Sequence, residues 1–219
     1  MLQRLIFAGA AVLGVAVSAH AQIGRAPGRT YGNDPSYWVG LSYGYMDGYS
    51  MSDDDSQSHW AFGGTSQIRA TFEKTMQRGI TIGAAAGFST TPLTYSSVVN
   101  PANGGGACGG GCRAKADVTQ FMAFVHGGNG NGFHGVYDLE AGFTEFSNFR
   151  ERATDTKLAP TSADFSFTFG FGGGLGYAFS PTTDVYVGEL YQLIIHPSES
   201  ETGSAPRALV FRAGFRVGF

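Results

Sequence analysis

The sequence predicts an all-β fold, an eight-stranded antiparallel up-and-down transmembrane β-barrel preceded by a cleaved signal peptide. Three observations predict it. Long segments alternate apolar with small or polar residues, the breaks between them alternate long and short, and the chain finishes on an alternating aromatic strand. Segment length separates this fold from a soluble sandwich: globular strands usually run about five or six residues, whereas a tilted strand crossing a bilayer needs about 9 to 11.

The first element in chain order is MLQRLIFAGAAVLGVAVSAHAQ, with basic Arg4, an apolar run from Leu5 to Ala19, and Ala19-His20-Ala21 before Gln22. This is the pattern of a secretory signal peptide with an A-x-A cleavage site, and its apolar run falls short of the roughly 20 residues of a membrane anchor. The expected organisation is therefore a signal peptide over 1–21, a flexible lead-in over 22–36 rich in Gly, Pro and Asn, and a barrel over 37–219. Cleavage leaves 219 − 21 = 198 residues and removes Arg4, moving the formal charge from -3 to -4. Mild acidity argues against a nucleic-acid partner, which calls for a basic face. Charged residues make up only 14% of the chain, while there are 34 Gly and 18 Phe. A soluble domain carries about 25% charged residues, so these aromatics call for an apolar environment outside the chain.

Eight alternating segments follow: Tyr37 to Met46, Trp60 to Phe72, Ile80 to Thr91, Val118 to His126, Phe133 to Phe146, Phe165 to Phe179, Val185 to Ile195, and Leu209 to Phe219. In the sixth, Phe165, Phe167, Phe169, Phe171, Leu175, Tyr177 and Phe179 share one face, opposite Ser166, Thr168 and four glycines. The breaks after segments two, four and six are short (EKTMQRG, GGNGNG, SPTTD); those after one, three, five and seven are long and polar. Short turns at one rim and long loops at the other are the mark of a transmembrane barrel. The loops, Asp47 to His59, Pro92 to Asp117, Ser147 to Asp164 and His196 to Arg207, are then the external contact surfaces.

The last strand, FRAGFRVGF, puts Phe211, Phe215, Val217 and Phe219 on one face and Arg212 and Arg216 on the other. It resembles the carboxy-terminal assembly signal of bacterial outer-membrane barrels, and the mature chain resembles the small barrels typified by the transmembrane domain of outer membrane protein A. The resemblance implies an outer-membrane location, contact with outer-membrane lipid and handling by the barrel-assembly machinery. It brings no motif that carries a function. A sheet in lipid must close, because no water is there to satisfy an open edge, and eight strands leave a lumen that side chains can fill.

With Phe219 outward, the lumen receives a charge network of Arg69, Asp138, Glu140, Glu189, Arg212 and Arg216. Glu189 is assigned inward because a charge facing lipid is costly, although Val185, Val187 and Tyr191 then share its face. Arg216, Glu189 and Asp138 are expected on a lower tier, Arg212 and Glu140 on a higher one. Glycines on segments one and six, Gly40 and Gly44 among them, would leave room for long arginines or water. The network reads as a satisfied plug, or alternatively as a gate for ions or small solutes. Trp38 and Trp60 are expected in the interfacial aromatic belts.

Cys108 and Cys112, in an exported chain, are expected to form a disulfide rather than a two-ligand metal site. His59, His134 and His196 lack metal-like spacing, and neither Asp53, Asp54 and Asp55 nor Glu199 and Glu201 supply a complete ligand set, so no metal is expected. Small barrels include lipid A deacylases, a resemblance to which would rest on a His-x-Ser-Asn motif; here FVHGGNGNGF has His126 followed by Gly128 where the serine belongs, so no catalytic residue is assigned. GGNGNG lacks the strand-turn-helix context of a nucleotide fingerprint, and no cofactor is expected. The expectation is a monomeric, non-enzymatic barrel acting structurally or through loop contacts with a surface ligand; the alternatives are a narrow channel and an envelope enzyme acting on lipid.

Overall fold

The structure, a computed structural model, describes residues 35–77, 79–97, 108, 110–128, 132–197 and 206–219. The expected signal peptide, and the lead-in apart from Pro35 and Ser36, lie outside the described residues. The strands are β1 (Tyr37–Met46), β2 (Ser50–Asp53), β3 (Ser58–Phe62), β4 (Thr65–Gln77), β5 (Ile80–Ser97), β6 (Cys112–Gly127), β7 (Gly132–Glu151), β8 (Asp164–Ser180), β9 (Thr183–Ile195) and β10 (Arg207–Gly218). Eight of them close an antiparallel ring in the order β1, β4, β5, β6, β7, β8, β9, β10, with β10 returning to β1. At the seam Trp38 faces Gly218 and Met46 faces Val210, and Phe219 N donates to Tyr37 O at 2.9 Å. Closure satisfies the backbone without water, as a lipid environment demands.

The other two strands, β2 and β3, form a hairpin in what the sequence presents as a polar loop. β3 pairs with the upper part of β5, from Phe62↔Leu93 to Ser58↔Ser97. The expected single strand from Trp60 to Phe72 is broken at Gly63 and Gly64, where Gly63 N donates to Pro92 O at 2.7 Å. There β5 passes from pairing with β4 to pairing with β3. Strands β5, β6 and β7 also extend into the expected loops, reaching 18, 16 and 20 residues. Their pairing runs on to Tyr95↔Cys112 and Ala114↔Glu151, because alternation persists there with polar residues outward, where a hydrophobic period is no longer visible. At the opposite rim the connections are as short as residues 78–79 and 181–182.

The outward face carries an apolar belt. Leu41, Tyr43, Ile68, Phe72, Phe88, Phe121, Leu139, Phe143, Phe171, Leu175, Phe211 and Phe215 are all exposed, an arrangement that water would penalise and lipid solvates. Phe219 lies at the short-turn rim with its ring 6.0 Å from that of Tyr37. The inside has two layers. Near the short turns it is polar and charged; toward the long loops it becomes an apolar core of Met46, Met51, Trp60, Phe62, Tyr95, Phe146, Phe149 and Ile194 with their neighbours.

Both tryptophans differ from the expectation of interfacial belts: Trp38 and Trp60 are 1% and 0% exposed. Trp38 is in phase with Gly40, Ser42 and Gly44, the inward residues of β1, and Trp60 is the central aromatic of the upper core, its ring 4.6 Å from Phe149 and 5.9 Å from Phe146. Cys108 and Cys112 are joined as a disulfide.

Candidate functional site

The charged layer is built by strand phase. Taking every second residue puts Gln67, Arg69 and Glu73 of β4, His126 of β6, His134, Asp138 and Glu140 of β7, Asp184 and Gln192 of β9, and Arg212 and Arg216 of β10 into one narrow interior. Nearest the short turns, Arg216 donates through Nε and Nη2 to Asp184 Oδ2 at 3.1 and 2.8 Å, through Nη1 to Glu73 Oε2 at 3.2 Å, and through Nη2 to Gly128 O at 3.1 Å. Its guanidinium lies 4.8 Å from the Trp38 ring centroid. His134 Nε2 comes within 3.3 Å of Asp184.

One tier up, Arg212 is ion-paired with Asp138, whose other oxygen lies 2.8 Å from His126 Nδ1. Above that, Arg69 meets Glu140 at 2.7 Å, and Gln192 donates to the second oxygen of Glu140 at 2.7 Å. Gln67 donates to Gln120 at 3.0 Å, and Gln120 donates to Gln192 at 3.2 Å. The network thus spans the lumen and gives each of its charged groups at least one oppositely charged neighbour, as buried charges require, while Arg69 Nε, His126 Nε2 and Asp184 Oδ1 have no hydrogen-bond partner among the described residues. The space left between Arg69 and Arg212 is about 10 Å³, no more than a single water fills.

Of the residues assigned to this network from sequence, Arg69, Asp138, Glu140, Arg212 and Arg216 all enter it. Glu189 does not, and its inward assignment is corrected. It is directly opposite the lipid-facing Phe211 on β10 and Gly173 on β8, and cross-strand partners share a face. Register outweighs the cost of one carboxyl on the outer surface, which is smaller for Asp and Glu than for Arg or Lys. The same phase turns Asp184 inward, so Arg216 finds Asp184 and Glu73 in place of Glu189. Both acids sit in stretches that read as turns; extending the alternation Thr65, Gln67, Arg69, Thr71 by one step would have recovered Glu73.

Gly40 and Gly44 of β1 lie against Arg216 and Arg212, as expected, whereas the lumen glycines of β8 make room for other groups. A Cβ on Gly170 would stand 2.8 Å from Glu140 Cγ, and one on Gly176 only 2.4 Å from His134 Nε2. On β8 they admit an acid and an imidazole from β7.

A second constellation lies at the barrel mouth, beyond the apolar belt. Asp53 ends β2, Asp164 begins β8 and His196 follows β9. Their ligand atoms lie within 4.8 Å of one another. His196 Nε2 is 3.5 Å from Asp53 Oδ1 and 3.6 Å from Asp164 Oδ2, and Nδ1 is 2.8 Å from Ser166 Oγ. Burial, with Asp53 close by, pushes the Asp164 carboxyl above its ordinary range, against the pull of His196. Serine, histidine and two aspartates together suggest a nucleophile and base, but Ser166 is 0% exposed, and an acyl or phosphoryl group has no approach to its hydroxyl. His126 is held by Asp138 deep in the lumen. In the sequence Asp53, Asp164 and His196 are spread over more than a hundred positions, and nothing in their local motifs joins them. Glu199 and Glu201 lie outside the described residues.

A third feature is a groove of about 240 Å³ on the outer wall above the belt, lined by Ala61, Gly63, Pro92, Thr94, Arg113 and Arg152. Neither arginine forms an ion pair among the described residues.

A closed ring of eight antiparallel strands, belted with outward aromatics and filled inside, defines the class of small outer-membrane β-barrels. The comparisons agree on the fold. The chain is similar to the outer membrane protein AlkL, at 12% identity over 89% of this chain and 95% of that one, with a TM-score of 0.51. It is also similar to the outer membrane protease OmpT of Escherichia coli, at 11% identity over 88% and 99%, with a TM-score of 0.50. Neisserial surface protein A aligns at 14% identity over 84% and 97%, with a TM-score of 0.48. No protein-family model and no curated protein matches the sequence.

Proposed function

We propose that this chain is a sealed, non-enzymatic outer-membrane barrel that holds a folded platform of strands at the cell surface for contact with a surface ligand. The observation that carries this reading is the apolar core above the membrane belt. Trp60, Phe62, Phe146, Phe149 and Tyr95 pack together inside walls made by β2, β3 and the extensions of β5, β6 and β7. A barrel needs no such core to cross lipid. A rigid external surface does need one, because ordered backbone outside the membrane must be offset by buried apolar area. The long-loop end faces outward on this reading, and the groove with Arg113 and Arg152 is a basic concavity on it.

The same core opposes the channel reading. A permeating ion would have to pass both the arginine–carboxylate tiers and the apolar layer above them. The enzyme reading is opposed by the sealed hydroxyl of Ser166. The test is planar-bilayer conductance of the refolded mature chain, paired with binding of whole surface extracts to wild type and to a chain lacking 50–62. Silent bilayers and binding lost with the hairpin support the proposal. A reproducible open level that changes in Arg216→Ala would overturn it in favour of a channel.

A further inference from the structure

We propose that Asp53, Asp164 and His196 form a binding site for one divalent transition cation of the Zn²⁺ class, which would staple the β2–β3 hairpin to β8 and β9 across the barrel mouth. The first ground is an imidazole nitrogen with nothing to bond. The His196 side chain is 0% exposed, and Nε2 has no hydrogen-bond partner. It points at two carboxylate oxygens 3.5 and 3.6 Å away, beyond the usual N–H···O range of about 2.7 to 3.2 Å. Those separations suit a shared ion instead. Ligands held tetrahedrally at about 2.0 to 2.2 Å stand about 3.3 to 3.6 Å apart.

The second ground is the support around the ligands. Ser166 Oγ holds His196 Nδ1 at 2.8 Å, the outer contact that orients most metal-bound imidazoles. Asp53 is fixed by the turn that follows it, its oxygens accepting from Asp55 N at 3.2 Å and Ser56 N at 3.0 Å. The third is charge. Among the described residues no Lys or Arg pairs with Asp53 or Asp164, so two carboxylates at a buried imidazole lack a fixed cation. One nitrogen and two carboxylates suit Zn²⁺ or a neighbouring transition ion, with water completing four ligands; Ca²⁺ would want six to eight oxygens. The 18% exposure of the Asp164 side chain gives the ion a way in. The cysteine pair near Glu151 is no rival, since its sulfurs are joined.

This inference is independent of the surface-contact reading. It is tested on the mature chain refolded in detergent, stripped with chelator, dialysed against ZnCl₂ and assayed for bound metal, with Co²⁺ as the spectroscopic probe. The expected result is one ion per chain. Affinity should fall by at least about tenfold in His196→Ala and in Asp53→Asn, and by about tenfold in Ser166→Ala, the low end for an outer-shell contact. His59→Ala, an exposed imidazole on the same hairpin, should leave it unchanged. Gel mobility without boiling verifies that each variant is folded. Should one not fold, the Co²⁺ spectrum of the wild-type chain decides: tetrahedral visible bands at one equivalent support the site. No stoichiometric metal, or metal binding indifferent to His196→Ala, overturns it.

Discussion

Arg216 offers the sharpest test of the lumen, because its side chain is 1% exposed and its guanidinium binds Asp184, Glu73 and Gly128 O over the Trp38 ring. Replacing it with alanine leaves Glu73 and Asp184 facing each other without a fixed cation and frees Gly128 O. Breaking a buried ion pair from one side costs about 3 to 5 kcal/mol, and the lost stacking on Trp38 adds about 0.5 to 2 kcal/mol. His134, 3.3 Å from Asp184, remains as a partial substitute, so the lower figure of about 3 kcal/mol is the expected one. With a urea slope of about 1 to 3 kcal/mol per molar, the unfolding midpoint in lipid vesicles should drop by about 1 to 3 M. Arg216→Lys keeps the charge but loses the forked donors and should fall between. Adding Glu73→Gln and Asp184→Asn to Arg216→Ala should recover much of the loss, because it removes the stranded charges as well as their partner. A midpoint change within error for Arg216→Ala would mean that water already screens these groups, and the sealed-lumen reasoning would fail.

Other expectations follow from single contacts. Glu189→Gln removes a carboxyl from the lipid-facing surface and should stabilise the barrel by about 1 kcal/mol in the same assay; destabilisation would return Glu189 to the interior. Trp60→Ala hollows the upper core and should cost about 3 to 5 kcal/mol, read as protease cleavage of the mouth while the membrane strands stay protected. Lys115 and then Arg150 hold the exposed Asp155 carboxyl below its usual range. A lowered folded pKa contributes order above the unfolded pKa that is lost as pH falls through the folded one, so the 152–163 segment should become easier to cleave only at strongly acidic pH. Asp155→Asn should make it so at pH 7, and limited proteolysis with an acid-tolerant protease would show the difference. Phe219→Asp would place a charge beside Tyr37 at the closing seam and should lower the yield of heat-modifiable folded barrel in refolding gels.

The sequence by itself determined what depends on period two. The outward belt of Phe211, Phe215, Val217 and Phe219 and the inward Arg212 and Arg216 follow from which neighbours share a face, and the alternation of short turns with long loops is read from the lengths of the breaks between alternating segments. The class of fold rests on these, and so does the tendency of Arg69, Asp138 and Glu140 to meet inside. Tertiary structure decided what depends on register and on encounters between distant strands. Glu189 went outward because Phe211 and Gly173 flank it, and that choice delivered Asp184 to Arg216. Trp60 left the expected belt for a core that exists only when the β2–β3 hairpin leans on β5. Asp53, Asp164 and His196 met because the ring of strands brings three separate connections to one mouth. A one-residue slip reverses a strand's faces, and closure of the ring selects among the possible slips, so the partner of each charge belongs to the closed barrel as a whole.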